Sequence, residues 1–249
     1  MPFTTIECHP SSGHTHTVVF LHGRGDNAQN FVKSLNHSRD SQDRTLADAF
    51  PTFRWVFPQA KLSNSVAFPG SIVSQWFDIW NVSDFSDREE LQAEGLRESV
   101  LGILEIIHQE ARQLGGRYDR IVLAGISQGA ATSVHTLLSL ELPEGQSKLG
   151  AFVGFSCRMP FPGRSLGDTR SVLGVAGAPG DDKLLRNTPM LLEHCVDDPL
   201  VLLKNGLVLR DTLRGFGSQV EWKEYPDGGH WFNSPRGMDD VIEFLNQVL

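Results

Sequence analysis

Residues 121–132, IVLAGISQGAAT, decide the fold, because the pattern before the single serine is that of a strand and the pattern after it is that of a helix. The apolar, β-branched run predicts a buried strand over residues 120–124. After Ser127, QGAATSVHTLLSL predicts a helix that begins at once. Gly125 and Gly129 relieve crowding where the chain swings from strand to helix. The stretch therefore predicts a strand, an abrupt turn carrying Ser127, and a helix.

Short apolar runs alternate with helical patterns along the rest of the 249 residues. This alternation predicts an α/β fold with a mostly parallel central sheet flanked by helices on both faces. We expect strands at residues 17–21, 53–57, 120–124, 151–155, 190–193 and 220–224, and helices at 89–113 and 238–249. Because α/β chains of this length are ordinarily one domain, residues 1–249 are predicted to form a single domain.

Two long segments, 58–80 and 157–187, have no regular pattern and are predicted to be loops. The first is apolar, and the second is rich in glycine, proline and charge. Long loops in a compact domain are more often functional than accidental. Exposed apolar loops would also suit a homodimer as readily as a substrate.

The composition excludes several classes of partner. A net charge of −8 provides no basic face for nucleic acid or for an anionic lipid surface. The three cysteines have no CxxC spacing, which indicates neither a disulfide framework nor a zinc site. The N-terminus has no signal-peptide pattern and no window approaches a membrane span. We therefore expect a cytoplasmic protein without stable membrane insertion.

Ser127 has two interpretations: a nucleophile, or a small residue in a glycine-bounded connection. A serine hydroxyl is a weak nucleophile at neutral pH, so catalysis needs a base, a group that orients the base, and donors for the oxyanion. The pattern G-x-S-x-G between a strand and a helix favours the nucleophile, with Oγ at a helix N-terminus.

His230 is the candidate base, because it follows Gly228 and Gly229 in a loop beyond the last predicted strand. Two other histidines downstream of Ser127 are weaker candidates. His135 lies in the helix after the serine, and His194 ends a strand. The base is therefore expected at the carboxyl edge of the sheet, where catalytic loops of open α/β sheets lie.

The acid is one of two adjacent carboxylates, Asp197 and Asp198, and only one of them can face the histidine. Asp198 precedes Pro199, which favours an extended backbone and can open a helix over residues 200–214. The chemistry favours Asp198 only modestly and leaves both open.

The oxyanion hole needs the backbone N–H of Gln128 and a second donor from the loop after an early strand. HGRGD at residues 22–26 supplies that loop, and its glycines allow the backbone N–H of Arg24 to approach a reacting carbonyl. His22 is interpreted as a structural residue. Neither GxxxxGK[ST] nor GxGxxG is present, which argues against a phosphate cradle.

Five motifs, FLHGRGDN, WFDIW, AGISQGAA, HCVDDPLV and GGHWF, together resemble the acyl-protein thioesterase, lysophospholipase and carboxylesterase family of α/β-hydrolases. They follow the family's order over nearly the whole chain. The resemblance implies an α/β-hydrolase fold with Ser127 as nucleophile, His230 as base and Asp198 as acid. It also implies an oxyanion hole formed by the backbone amides of Arg24 and Gln128.

The resemblance further implies an acyl channel bordered by the loop that leads into WFD. Its candidate substrate-binding residues are Val66, Phe68, Ile72, Val73, Trp76 and Phe77. We expect about half of them to cover the sheet edge instead. Arg24 stands where family members often have leucine, and it favours a substrate with an anionic group near the ester.

These features predict a serine hydrolase that cleaves carboxylic esters or thioesters through an acyl-enzyme intermediate, without a cofactor or metal. The substrate would be a small-molecule ester or thioester or an acylated protein. Two alternatives stay open: an acyltransferase or specialised-metabolite esterase with the same triad, and a non-catalytic, hydrolase-like binding protein. The full set of triad and oxyanion residues argues against the second.

Overall fold

The computed structural model describes residues 3–249, which contain a seven-stranded sheet and a separate two-stranded one. The strands are β1 (Thr5–Cys8), β2 (His16–Leu21), β3 (Phe53–Pro58), β4 (Leu62–Asn64), β5 (Ile72–Ser74), β6 (Ile121–Ile126), β7 (Ala151–Phe155), β8 (Met190–Cys195) and β9 (Val220–Tyr225). The α-helices are α1 (Ala28–Leu35), α2 (Leu46–Ala49), α3 (Gln92–Gln113), α4 (Gln128–Ser139), α5 (Leu166–Leu173), α6 (Lys183–Asn187), α7 (Leu203–Gly215) and α8 (Arg236–Val248).

The large sheet has the order β1-β3-β2-β6-β7-β8-β9 and is parallel except for β1, which pairs antiparallel with β3. This confirms the α/β-hydrolase fold class and the six predicted strands. The sequence prediction missed β1, because a four-residue edge strand with only partly buried side chains carries little hydrophobic signal.

Both faces of the sheet are covered, since alternate side chains of each strand enter different clusters. In β2, Val19 and Leu21 pack with α3, α4 and α7, whereas Val18 and Phe20 pack with α1, α2 and α8. A parallel sheet buried on both faces reads as continuous apolar runs, which is the reason β6 and β7 were predictable.

The predicted helices at 89–113 and 238–249 are confirmed with small shifts at their ends. A single 3-10 turn, Glu89–Leu91, precedes α3. Beyond the C-terminal end of α3, Gly116 has a φ of 83°, and the Gly116 N–H donates to the Ala111 carbonyl at 2.8 Å. The helix expected from Leu200 instead begins at Leu203 as α7, because Asp198 holds the preceding residues in a turn.

The prediction of two irregular loops was wrong in part. Segment 58–80 contains an antiparallel hairpin of β4 and β5, and segment 157–187 contains α5 and α6. Helix α5 has a readable cap, because Ser165 Oγ accepts a hydrogen bond from the Asp168 amide at 3.1 Å. These elements are so short that periodicity does not reveal them.

The parallel strands bring the candidate residues to one edge of the sheet. Ser127 follows β6, the segment with Asp197 and Asp198 follows β8, and His230 follows β9. Residues 22–26 follow β2 at the same edge, next to β6. Within the described part of the chain, no helix combines the length and apolar character that a bilayer crossing requires.

Candidate active site

Ser127 lies on a strained turn between β6 and α4, with φ of 56° and ψ of −125°. Such a conformation costs a non-glycine residue about 1–3 kcal/mol and persists only when its surroundings enforce it. Here the Ser127 N–H donates to the Phe155 carbonyl of the neighbouring strand at 2.9 Å, and the Ser127 carbonyl accepts from the Ala131 N–H at 3.0 Å. These bonds hold the serine at the start of α4.

The two glycines flanking Ser127 are required by close approach of the backbone. A Cβ at Gly125 would lie 2.6 Å from the Ala130 nitrogen, and one at Gly129 would overlap the carbonyl oxygens of Leu21 and His22. The turn therefore packs against the neighbouring strand β2, as well as bending sharply. Of the two glycines, Gly129 is the one at which the serine turn lies against the end of β2 and the loop that follows it.

The variant Gly129→Ala is expected to lower the free energy of unfolding by about 3 kcal/mol or more, because backbone carbonyls cannot move aside as a flexible side chain can. Urea denaturation followed by circular dichroism measures this change. Gly167→Ala is the matched control. At that position in α5, a Cβ meets only Ser165 Oγ at 4.0 Å, so a change within about 1 kcal/mol is expected. Equal stability of the two variants would contradict the packing argument.

His230 contacts Asp198 and not Asp197. The His230 Nδ1 lies 2.8 Å from Asp198 Oδ2, while Asp198 Oδ1 accepts from the amides of Leu200 at 2.8 Å and Val201 at 2.9 Å. Asp198 is only 2% exposed. Burial raises the pKa of this carboxyl, but the hydrogen bonds from His230 and the Val201 amide outweigh it and bring the pKa below its ordinary value. Asp198 is thus ionised at neutral pH.

Asp197 has a different contact, although it is the adjacent residue. Its Oδ1 accepts from the Gly229 N–H at 2.8 Å, and its side chain lies in the exposed part of the loop. Asp197 therefore fastens the loop that carries His230, whereas Asp198 bonds the imidazole itself. The carboxylate in contact with His230 is therefore Asp198, the one that the family resemblance implies.

The other three histidines considered above serve the packing. His135 is enclosed in α4, and burial lowers its pKa to about 4. His194 lies 3.6 Å from Asp198, but its Nε2 is committed to the Val201 carbonyl at 2.7 Å. His22 bonds the Gly23 carbonyl through Nδ1 at 2.7 Å, and its Nε2 accepts from the Ala60 amide.

The loop after β2 lies directly against Ser127. A Cβ built at Gly23 would stand 3.5 Å from Ser127 Cβ, so the absence of a side chain lets this backbone approach the hydroxyl. The loop is held by the Gly25 N–H, which donates to the Ser74 carbonyl at 2.8 Å. Trp76 Nε1 donates to the His22 carbonyl at the same distance of 2.8 Å. The loop is therefore fixed from both ends.

Both polar atoms of the Gln128 side chain form hydrogen bonds with the backbone of the protein. Its Oε1 accepts from the Trp76 amide at 2.9 Å and its Nε2 donates to the Phe77 carbonyl at 2.7 Å. Its backbone N–H is the first of α4, and the first amides of a helix have no intrahelical acceptor. The arrangement thus provides a fixed amide donor next to the serine.

The side chain of Arg24 is directed at Gln75. Its Nε donates to Gln75 Oε1 at 2.8 Å, one terminal nitrogen is enclosed without a partner, and burial lowers its pKa. The residue borders the cleft beside Ser127.

Ser127 and His230 line one cleft of about 900 Å³. Its apolar wall is formed by three segments, residues 79–85, 159–162 and 199–208, and includes Ile79, Val82, Phe85, Met159, Val201 and Val208. A space of this size and lining is typical of a small-molecule site.

The structure places none of the six predicted channel residues on this wall. Trp76 and Phe77 are core residues, each 2% exposed, whereas Val66, Phe68, Ile72 and Val73 belong to the hairpin region, where Phe68 is 61% exposed. Segment 58–75 forms the hairpin instead of lining the cleft, and the chain reaches the cleft only after Phe77. The cleft is lined instead by Ile79, Val82 and Phe85. Their apolar side chains are visible in the sequence, but the predicted channel ended at Phe77.

The sequence analysis also missed Arg158, which lines the cleft three residues after β7. A single charged residue within the apolar stretch AFVGFSCRMPF was the available signal. It is buried, with 6% of its surface exposed.

Comparison with known proteins shows the family of this chain. The model of the phospholipase/carboxylesterase family matches residues 3–249. Acyl-protein thioesterase 1 of Gibberella zeae is 30% identical over 242 residues, covering 96% of this chain and 93% of the relative. Acyl-protein thioesterase 1 of Yarrowia lipolytica is 26% identical, covering 98% and 96%. The crystal structure of acyl-protein thioesterase 2 of Zea mays superposes with a TM-score of 0.74 at 25% identity, covering 98% of each chain.

Proposed function

The chain belongs to the phospholipase/carboxylesterase family and is a hydrolase of carboxylic esters or thioesters, and on that premise we propose that Ser127, His230 and Asp198 are its catalytic triad. One observation carries this proposal. The 2.8 Å contact between His230 and the buried carboxylate of Asp198 borders the cleft in which the strained Ser127 stands. These are the nucleophile, base and orienting acid that acyl transfer requires.

In the proposed acylation step, Ser127 Oγ attacks the substrate carbonyl while His230 Nε2 takes the hydroxyl proton. The Oγ to Nε2 hydrogen bond is part of this proposal. The tetrahedral intermediate carries its negative charge on the former carbonyl oxygen. Collapse of that intermediate breaks the bond to the alcohol or thiol, which leaves with the proton from His230. The acyl group then remains on Ser127 as an ester.

Deacylation follows the same path with water in place of the serine. His230 takes a proton from water, the resulting hydroxide attacks the acyl ester, and Ser127 Oγ recovers the proton as the acid is released. Asp198 accepts the hydrogen bond from His230 Nδ1, which selects the tautomer with a free Nε2 and stabilises the imidazolium formed in each step.

We further propose that the backbone amides of Gln128 and Arg24 bind the oxyanion. The first is held by the anchored Gln128 side chain, and the second lies in the loop that Gly23 brings against Ser127. Fixed amides stabilise charge that develops in the transition state without reorganising, and one oxyanion donor contributes about 3–4 kcal/mol in a serine protease.

The substrate class is proposed from the relatives and the cleft. The relatives named above are acyl-protein thioesterases, so the candidates are an acylated protein and a small-molecule ester or thioester. The apolar wall suits the acyl group of either.

A fluorophosphonate probe tests the triad, because it phosphonylates only a serine that an adjacent base activates. We expect rapid labelling of the native protein, with the modified peptide containing Ser127 by mass spectrometry. Heat-denatured protein is the control and should not react. Native protein that takes up no label, or label on any other serine, would refute the proposed nucleophile and favour a binding protein with a hydrolase-like fold.

A further inference from the structure

Arg158 is a buried cation on the wall of the cleft that holds Ser127 and His230. It follows β7, the strand next to β6, so the serine turn and this arginine emerge from neighbouring strands at the same sheet edge. Helix α3 passes beside it, since Arg158 Nη2 donates to Gln92 Oε1 at 2.6 Å. Its position is therefore set by two long-range contacts of the fold.

The described part of the chain provides a hydrogen-bond acceptor for only one nitrogen of the Arg158 guanidinium. The group stacks on the Phe85 ring, 4.0 Å from its centroid, and lies 5.7 Å from that of Phe77. Within residues 3–249, no carboxylate lies within 4 Å of it, and Gln92 is its single hydrogen-bond acceptor. The other two guanidinium nitrogens have no hydrogen-bond acceptor among the described residues, and the residue lines the cleft.

The three described acidic side chains of the cleft have other hydrogen-bond partners, and that of Asp26 accepts from the Asn27 amide at 2.8 Å. Glu89 accepts from the Phe161 amide at 2.7 Å and lies 4.0 Å from Arg164, and Asp84 accepts from Ser86 Oγ at 2.6 Å. Burial lowers the pKa of Arg158 to about 10, so the group is still charged at neutral pH. Buried cations are ordinarily paired, because an unpaired one is costly. The structure thus leaves, on the wall of the cleft, a positive charge that has no carboxylate of the described chain within 4 Å and that Glu89 offsets only at longer range.

We propose that Arg158 binds a carboxylate of the substrate, so that the enzyme prefers an ester or thioester with an acid group on one of its two halves. A guanidinium can bind a carboxylate through two parallel hydrogen bonds, and the apolar surroundings of this one exclude competing water. The inference rests on the proposed function and narrows its substrate class. The Phe85 ring covers one face of the guanidinium, so the substrate carboxylate would bind the two nitrogens that have no acceptor in residues 3–249.

A different interpretation makes Arg158 structural, as a clamp between Gln92 of α3 and the segment after β7. That role would affect charged and neutral substrates alike. The ratio of their kcat/KM values therefore separates the two interpretations, whatever the overall activity of a variant.

The test uses two matched substrate pairs, one for each half of the substrate. In the acyl arm, 4-nitrophenyl hydrogen adipate is compared with 4-nitrophenyl methyl adipate. In the leaving-group arm, S-acetyl-3-mercaptopropionate is compared with its methyl ester, and the released thiol is measured. The wild-type enzyme is expected to prefer the charged member in one arm by about 10- to 100-fold in kcat/KM, the effect of a hydrogen-bonded ion pair in a poorly hydrated site. The preferred arm identifies the half that carries the acid group.

In Arg158→Gln, the charged-to-neutral ratio is expected to fall by about 10- to 100-fold, and Arg158→Lys should recover part of it. Lys204→Gln is the matched control, because it removes the same charge from an exposed residue of α7 that borders the cleft. Its ratio should change less than about 3-fold, since exposed charges are screened.

Each of four outcomes has a separate meaning for the inference and for the proposed function. If wild-type enzyme shows no preference in either arm while its neutral-ester hydrolysis depends on Ser127, this inference is wrong and the proposed function stands. If no hydrolysis depends on Ser127, the proposed function itself fails. An unchanged ratio in a folded Arg158→Gln variant assigns the arginine a structural role. If Arg158→Gln does not fold, Arg158→Lys decides instead, and an unchanged ratio in that variant assigns the arginine a structural role.

Discussion

Ser127→Ala is expected to lower kcat for ester hydrolysis by about 10⁶-fold, the size of the effect when the nucleophile of a serine hydrolase is removed. Without Oγ, no acyl-enzyme forms, and the histidine and oxyanion donors can act only on a direct attack by water. The residual rate should come from those groups and from substrate binding. Release of 4-nitrophenol at high enzyme concentration, corrected for the uncatalysed reaction, measures the change.

Ser156→Ala is the matched control for the serine variant. Ser156 follows the neighbouring strand β7, has a φ of 45°, and is equally subject to the backbone strain of a non-glycine residue. It is buried and lies outside the cleft lining. We expect its kcat to stay within a few-fold of wild type. Comparable losses in both variants would point to disruption of the sheet edge, and activity retained by Ser127→Ala would remove the nucleophile assignment.

Asp198→Asn is expected to lower kcat by about 10⁴-fold while the fold is retained. An amide in this position can donate to His230 Nδ1, which favours the tautomer whose proton is on Nε2 and so removes the base. It also cannot stabilise the imidazolium. The kcat measured with a neutral 4-nitrophenyl ester reports both effects, and fluorophosphonate labelling should slow in parallel.

The neighbouring carboxylate provides the control, since Asp197→Asn makes the same chemical change one residue away. Asp197 contacts the Gly229 amide and not the imidazole, and an asparagine carbonyl can still accept that bond. We expect less than a 10-fold loss in kcat. A larger loss in Asp197→Asn than in Asp198→Asn would reverse the assignment of the acid.

The same pair predicts a difference in stability against pH. The pKa of Asp198 is lowered in the folded protein, so its ionised form stabilises the fold above its unfolded pKa of about 4. This stabilisation is lost as the pH falls through the lower folded value. Urea titrations between pH 2.5 and pH 6 should therefore show a shallower acid destabilisation in Asp198→Asn than in Asp197→Asn.

Sequence reasoning performed best where the cause of a structure is local. The buried parallel strands β2, β6 and β7 were predictable from continuous apolar runs, and the turn at Ser127 from its flanking glycines. It performed poorly for short elements such as β1, α6 and the β4–β5 hairpin, whose few residues gain their stability from the surfaces they cover. The hairpin had the largest effect on the site prediction, because Phe68 and Ile72 lie in the hairpin region and do not line the cleft.

The amino-acid sequence by itself determined the fold class, the identity of Ser127 and His230 as candidates, and their delivery to one sheet edge. Each of these follows from local pattern and from the rule that parallel strands share a carboxyl edge. Only the tertiary structure decided that Asp197 bonds the Gly229 amide while Asp198 bonds His230, that the cleft wall begins after Phe77, and that Arg158 is buried on the wall of the cleft. These depend on contacts between residues far apart in the chain, whose distances and dehydration no local pattern encodes.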